Sequence, residues 1–552
     1  MKKLLPFLLS AFSLGAQAQS TPAWTWAKML ASSNLTSAGT MTTDAAGNTY
    51  LAGGFSQPLT LAPGTVLTTS SGQDGFVAKY DPSGTLLWSR QLAGFFNDGF
   101  QKVLIDGTGK VTLVGSSSDG AQIGGFTFSS NGFGPVVVVT QLDAQGQVLS
   151  MTEVGSGSSL IIADMALDAA GNSYISGTFG LSATFGSFSL STPIVGTSIA
   201  FDQFLVKVSP QGVPLWAQQG GRSAAPSGTG TNFYYNSLAV EPSGNVYLTW
   251  TCNANAGGFG SLSMPAGYGD ADVLVVKYDT QGTPQWVQRV GSPGLDFAGN
   301  TALDASGRLV VPGFISGAGT FGSQTLASPA GVATGYVWVL NPATGASSWV
   351  RALSGTVGAA YRGVTTDAAG NIYAAGQFSG QGTLGTATLS NAGGLDGLIA
   401  SYSSAGNVNW SVKTDGVGDE SPLYVSLDGT NRLAVAGILN GAGLFGTAAL
   451  TGQNAPVGNI FLAHMGSVVT ASRSAQPVAQ LALYPNPAAA TDAVTLPQLP
   501  AGTALTLTDA LGRIVRRPAG PALSLAGLAT GVYVVQATAP NGQQWTNRLV
   551  VK

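Results

Sequence analysis

Residues 44–55 read D-A-A-G-N-T-Y-L-A-G-G-F, and residues 74–88 read D-G-F-V-A-K-Y-D-P-S-G-T-L-L-W. The first string alternates apolar and polar residues on either side of a turn, and the second does the same around Asp81-Pro82-Ser83-Gly84. Both read as antiparallel hairpins. The Asp-x-x-Gly-Asn-x-Tyr pattern returns about every 62 residues, opening at Asp44, Asp106, Asp168, Glu241, Asp304, Asp367 and Asp428. A period of this length marks an array of like units.

Each unit holds four strand signals. In the first they are residues 38–44, 48–55, 75–80 and 85–92, with a variable stretch of about 18 residues between the second and third. Four antiparallel strands per unit predict a propeller blade, and seven units predict a seven-bladed β-propeller over residues 19–466. The Asp that opens each turn can bond the backbone ahead of it. The fourth turn residue, Gly47 and its equivalents, supplies a left-handed conformation, and Asn431 stands there in the seventh unit. Repetition in every unit makes these Asp and Gly residues hairpin devices rather than metal or phosphate ligands. Trp88, Trp216, Trp286, Trp349 and Trp410 share one position, with Ser150 in the second unit. Packing between blades is the expectation for them; stacking on carbohydrate is the alternative.

The seventh unit stops after its third strand, Ile460–Met465. The N-terminal stretch from Trp26 to Ala31 matches the fourth strand from Trp88 to Ala93, and Trp26 precedes Asp44 by 18 residues, as Trp88 precedes Asp106. The N-terminal strand is therefore expected to complete the last blade, leaving no exposed sheet edges. These units resemble SBBP repeats, named for a seven-bladed β-propeller and found in bacterial exported proteins. The resemblance covers about residues 22–466 and implies fold, not activity.

Residues 1–18 read as a signal peptide: Lys2 and Lys3, an apolar run from Leu4, and Ala16-Gln17-Ala18 as the cleavage site. That run is too short to span about 30 Å of hydrocarbon, and no other stretch is long enough. Residues 467–479 are small and polar, a linker. Residues 480–552 then carry short strands with turns about every ten residues, predicting a small Ig-like β-sandwich. Tyr484-Pro485-Asn486-Pro487, Asp509-Ala510-Leu511-Gly512-Arg513, Gly531-Val532-Tyr533-Val534-Val535 and the terminal Lys552 resemble the C-terminal sorting domain of type IX secretion substrates in the Bacteroidota. The resemblance implies Sec export, passage through the periplasm and outer membrane, and the type IX machinery as a partner. The product would be released or held at the outer surface.

Chemistry is scarce. Charged residues make up 9% of the chain and the net charge is −3, which gives no footprint for nucleic acid. One histidine, His464, excludes a histidine metal cage, and one cysteine, Cys252, excludes an internal disulfide and paired-cysteine zinc sites. Cys252 reads as buried and inert, His464 as packed or at an edge. The Asp-x-x-Gly-x-x-x-Trp turn is similar to that of quinone-dependent dehydrogenase propellers, but the vicinal cysteine pair typical of many of them cannot form here, so no cofactor is expected. The carboxylate pairs Asp270 with Asp272, and Asp419 with Glu420, are the available hydrolytic candidates.

Ligand-binding residues are expected where variable loops meet a rigid scaffold. The connections between second and third strands are long and often carry a Phe-Gly turn, at Phe185, Phe259, Phe321 and Phe445. The connection between Trp216 and Glu241 spans 25 residues instead of 18, and contains Arg222, Phe233, Tyr234 and Tyr235. The innermost strands begin on the same face near Asp98, Gln101, Asp164, Asn236, Asn300 and Arg362, the candidate lining of the channel mouth. The functional expectation is a non-catalytic binding or adhesion module outside the cell, with a surface glycan or protein as ligand. A polysaccharide-acting enzyme and a purely structural surface protein are the alternatives.

Overall fold

The computed structural model describes residues 21–30, 35–69, 72–130, 136–192, 194–195, 198–199, 201–223, 236–253, 258–329, 331–355, 358–452, 459–468, 479–496, 499, 503–509, 514–518, 522–538 and 544–552. The signal-peptide reading, residues Phe233, Tyr234 and Tyr235, and residues Gly512 and Arg513 lie outside them. The chain divides into two compact units, Met1–Val469 and Thr470–Lys552.

The first unit is a β-propeller. Among the described residues, seven sheets are built on four main antiparallel strands, with the fifth sheet's inner strand in two pieces. In the first sheet the order is Leu35–Thr43, Thr49–Phe55, Asp74–Tyr80 and Leu86–Ala93. The inner strands of successive sheets touch in sequence, and Asp419–Leu427 of the seventh returns to touch Leu35–Thr43 of the first. The ring is closed by the N-terminal strand Trp24–Leu30, which pairs antiparallel with Asn459–Ser467, placing Trp26 opposite His464. His464 is thus in the interior of a sheet, between the N-terminal strand and Arg432–Asn440, and not at an edge.

The repeated motif is one hydrogen-bonded cluster. Asp44 Oδ1 accepts from the backbone N–H groups of Ala46 and Asn48, while Oδ2 accepts from Asn48 Nδ2 and Tyr50 OH. Lys79 lies over the Tyr50 ring, 4.8 Å from its centroid, with its ammonium 3.7 Å from Asp44. Asp168, Tyr174 and Lys207 repeat the arrangement, as do Glu241, Tyr247 and Lys277. Gly47 and Asn431 both take positive φ, 86° and 59°.

The tryptophans join neighbouring sheets. Each indole N–H donates to a carbonyl in the outer turn of the next sheet: Trp26 to Pro82, Trp88 to Ala144, Trp216 to Thr280, Trp286 to Pro342 and Trp349 to Ser404, at 2.9–3.3 Å. The ring lies beneath the glycine of that turn, where a Cβ at Gly146 would stand 2.8 Å from Trp88. This geometry accounts for both residues through packing between sheets. Trp410 has no such turn ahead of it, because the seventh sheet is completed by the N-terminal strand. Its buried indole N–H has no partner among the described residues.

The long connections between second and third strands are folded hairpins. Ser182–Phe185 pairs with Phe188–Ser191, and Ala442–Phe445 with Ala448–Thr451. Each hairpin docks on the end of the preceding sheet's outer strand or its extension, as Gln122 does on Ala93, Thr184 on Ser156 and Leu444 on Asp415. Phe185, Phe259, Phe321 and Phe445 are buried in the core. These connections therefore clasp one sheet to the next, and their Phe-Gly turns are packing devices. Cys252 lies within the strand Val246–Asn253, which runs further than its apolar stretch suggests; it is buried, and burial raises its thiol to about 12.

The second unit holds a five-stranded sheet and a two-stranded one around its own core, which includes Leu481, Leu507, Tyr533, Val535 and Leu549. The segment Tyr484–Pro487 is fastened to the last strand, Gln544–Val551: Asn486 Oδ1 accepts from Val550 N–H and its Nδ2 donates to Arg548 O. Tyr533 OH donates to Ala529 O, Lys552 N–H donates to Ala488 O, and Gly531 opens the strand Gly531–Thr538. Asp509 follows the strand Ala504–Thr508.

Candidate functional site

Up-and-down strand order puts two sets of connections on one face of the propeller: those between successive sheets and the clasping hairpins. Residue by residue, this face differs from the expected channel mouth. Asp98 is fully buried; its carboxylate accepts from Ser118 N–H at 2.7 Å, and burial raises its pKa. Asp296, ahead of the fifth sheet, and Glu420, at the start of the seventh sheet's inner strand, occupy the corresponding place. Each fixes its loop through a backbone N–H bond to the preceding sheet, Asp98 to Gln73 O, Asp296 to Ala271 O and Glu420 to Leu395 O. Burial pushes the Asp296 carboxyl up to about 6 and the Glu420 carboxyl up to about 7, the latter helped by Asp396, Asp419 and Asp415.

Beside each of these stands a second buried carboxylate, at the start of a third strand. Asp74 accepts from Gln91 Nε2 and Asp272 from Arg289 Nε, both at 2.6 Å, and Asp396 lies 3.5 Å from Lys413 Nζ. A Cβ at Gly291 would stand 2.0 Å from Asp272 Oδ1 and 3.0 Å from Asp296 Oδ2, so the two carboxylates flank one point. Asp272 pairs with Arg289 as a fully buried ion pair, which removes it from partnership with the exposed Asp270.

The remaining candidates belong to the inner wall. Asp164 bridges three sheets: its carboxylate lies 2.7 Å from Lys102 Nζ and accepts from Ser237 Oγ and Leu238 N–H. Asn236 Nδ2 donates to Gln203 Oε1 at 2.6 Å. Asn300 N–H donates to Arg362 O at 2.7 Å, and the Arg362 guanidinium lies over Phe314, 5.6 Å from its centroid. Gln101 sits at a β-bulge between Phe100 and Lys102, with its Oε1 buried and unpartnered among the described residues. Arg222 lies near the end of the strand Pro214–Ser223, opposite Asp202. The structure therefore joins Asp164 to Lys102, and Asn300 to Arg362.

What the sequence reading missed is an exposed apolar set on the same face. Phe95 and Phe96 are 78% and 59% exposed, Leu295 50% and Val417 78%. Each stands one to three residues ahead of the buried acids Asp98, Asp296 and Glu420. The available signal was an apolar residue among turn residues immediately before an acid, as in Gly94-Phe95-Phe96-Asn97-Asp98 and Gly416-Val417-Gly418-Asp419-Glu420. Next to Val417 opens a cleft of about 480 Å³, lined by Gly418, Asp419, Asn440, Gly441 and Thr451 among others. Among the described residues, no group of three or more His, Cys, Asp or Glu is arranged to hold a metal ion.

Residues 482–552 match the family described as secretion system C-terminal sorting domain. The chain thus carries a type IX sorting domain and is exported through that system to the cell surface or the medium. Over 508 residues, 76% of this chain, it is 22% identical to the uncharacterized WD repeat-containing protein L264 of Acanthamoeba polyphaga mimivirus, and it spans 36% of that relative's length. Among solved structures, similarity extends to PorZ, a surface component of the type IX secretion system of Porphyromonas gingivalis: 13% identity over 95% of this chain and 87% of that one, with a TM-score of 0.23. It extends also to quinohemoprotein alcohol dehydrogenase from Comamonas testosteroni: 12% identity, 83% and 78% coverage, and a TM-score of 0.33. These likenesses are too distant to carry an activity to this chain.

Proposed function

We propose that the exported chain is a non-catalytic binding module whose ligand meets the face carrying the connections between sheets. One observation carries the reading: Phe95, Phe96, Leu295 and Val417 stand exposed at the tips of loops whose bases are fixed by buried acids. Solvent-exposed apolar side chains held on a rigid frame favour recognition, since little order is lost when a ligand covers them. The ligand classes that suit an exported module are a surface glycan and another surface protein.

A polysaccharide-cleaving reading draws on Glu420, whose carboxyl is poised at about 7. Its burial and its bond from Thr414 Oγ1 favour a structural role, because a general acid must reach the bond it protonates. The test is binding of the purified protein to a panel of bacterial and plant polysaccharides and outer-surface proteins, with product analysis in the same wells. Binding without products, weakened at least tenfold by Phe95→Ser with Phe96→Ser, is the expected result. Released oligosaccharides would overturn the non-catalytic reading.

A further inference from the structure

The cleft beside Val417 has the composition of a site for an uncharged polyhydroxyl ring. Asp419 and Asn440 lie directly opposite each other on paired strands, at the open end of the seventh sheet. Asp419 Oδ1 accepts from Leu395 N–H, which fixes the carboxylate in place. The Asn440 carboxamide oxygen is buried and has no hydrogen-bond partner among the described residues. A buried acceptor left unpaired in a wall costs free energy. A half-turn of the group exchanges its acceptor and its donors, so it can offer either to a ligand hydroxyl. Thr451 adds a hydroxyl on the exposed lip, and Val417 offers an apolar surface on the other lip.

Charge narrows the class of ligand. No Lys or Arg lines the cleft. Asp419 lies on the cleft wall with Asp415 close by along the chain, and Lys413, the neighbouring cation, is already paired with Asp396 and Asp415. Such a surface repels uronate, sulfate and phosphate groups. A volume of about 480 Å³ falls in the range of small-molecule sites and far exceeds that of a bare ion. The exposed apolar residues stand just ahead of three different sheets, the second, fifth and seventh, whereas a protein partner's hot spots cluster at the centre of one contiguous patch. A polymer of small repeating units suits that spacing.

We infer that the cleft between Val417, Asp419, Asn440 and Thr451 is a binding subsite for a neutral saccharide unit, with Asp419 and Asn440 hydrogen-bonding its hydroxyls and Val417 covering an apolar edge of the ring. This rests on the binding-module reading above. The test is calorimetric titration of the purified full chain with two neutral glucans, laminarin and dextran, and two anionic polysaccharides, alginate and polygalacturonate. Binding of a neutral glucan and not of the anionic pair is expected. Asn440→Leu, which removes the unpartnered carboxamide oxygen, should weaken that binding at least tenfold while leaving the melting temperature unchanged, and Asp419→Asn should weaken it about fivefold. Leu87→Ser, in an outer strand, should bind normally. Tight binding of alginate or polygalacturonate, or neutral binding indifferent to Asn440→Leu and Asp419→Asn, would overturn the subsite and leave the binding-module reading standing. Silence with all four polymers, together with binding to a surface protein, would remove the saccharide subsite and turn the module's ligand into a protein.

Discussion

The indole of Trp26 lies flat on the imidazole of His464, with centroids 4.6 Å apart and planes 16° from parallel. His464 Nε2 shares a hydrogen bond of 2.9 Å with Thr49 Oγ1 in the first sheet. One contact thus ties the N-terminal strand, the last sheet and the first. Removing residues 19–31 from the exported chain should leave the ring open and lower its melting temperature sharply. Trp26→Ala, which loses a half-buried ring and its bond to Pro82 O, should cost about 2 kcal/mol. Thermal unfolding of both variants checks this, and an unchanged midpoint in the deletion would refute the closure.

The buried titratable groups pull stability in opposite directions with pH. Burial raises Glu420 in the folded chain to about 7 from an ordinary 4.5, so the folded state takes the proton first. Its charged form is a cost above pH 7 that is relieved as pH falls from 7 towards 4.5. Burial lowers His464 to about 4 from 6.5, so its neutral form is at ease above pH 6.5 and a cost grows as pH falls from 6.5 to 4. Each is worth up to about 3 kcal/mol over its full range. Glu420→Gln should therefore be more stable than the parent at pH 8, equal to it near pH 4.5, and more acid-sensitive in between. Melting curves at pH 8, 6 and 4.5 decide the matter; a constant difference across that range would exclude the assignment.

Asp272 and Arg289 are a buried ion pair, 0% and 4% exposed. Arg289→Met leaves a carboxylate without its cation next to Asp296 and should cost about 3–5 kcal/mol. Adding Asp272→Leu to that variant should restore much of the loss, since the pair is then replaced by apolar bulk. Chemical denaturation of the single and double variants measures the difference, and equal stabilities would show the charge to be relieved by water.

The turn glycines differ in what surrounds them. Gly146 has φ +78° and faces Trp88 at 2.8 Å, whereas a Cβ at Gly107 would meet nothing within 4 Å. Gly146→Ala should lose about 1–3 kcal/mol through backbone strain and displacement of the indole. Gly107→Ala should stay within about 0.5 kcal/mol of the parent. A comparison of the two denaturation midpoints tests the pairing of turn and indole.

Export rests on the second unit. A chain ending at Val469 keeps the whole first unit and lacks the sorting domain, residues 482–552. It should accumulate inside the cell envelope instead of reaching the surface or medium, as fractionation and immunoblotting would show. Its normal appearance outside the cell would separate the tail from export.

Local chemistry made much of this legible in the linear chain. Asp44, Gly47, Asn48 and Tyr50 lie within seven residues of one another, and their mutual bonds are dictated by a single hairpin, so the repeat could be read as turns and strands. The spacing from Trp26 to Asp44, equal to that from Trp88 to Asp106, carried the ring closure, because a closed array must return every strand to its place. The candidate site was far less legible. Asp98 read as lining of the channel mouth, yet it is buried and bonded to Ser118 and Gln73. The Phe-Gly connections read as open loops, yet Ser156 and Asp415 of the preceding sheets receive them as strands. Trp88 finds its carbonyl at Ala144, 56 residues ahead, and Asp419 finds Asn440 only when two strands pair in register. Periodicity fixes what each residue does within its own hairpin, since those partners are covalently near. Burial, charge pairing and the composition of a cleft depend on which sheets come together, and that is decided by packing between units distant along the chain.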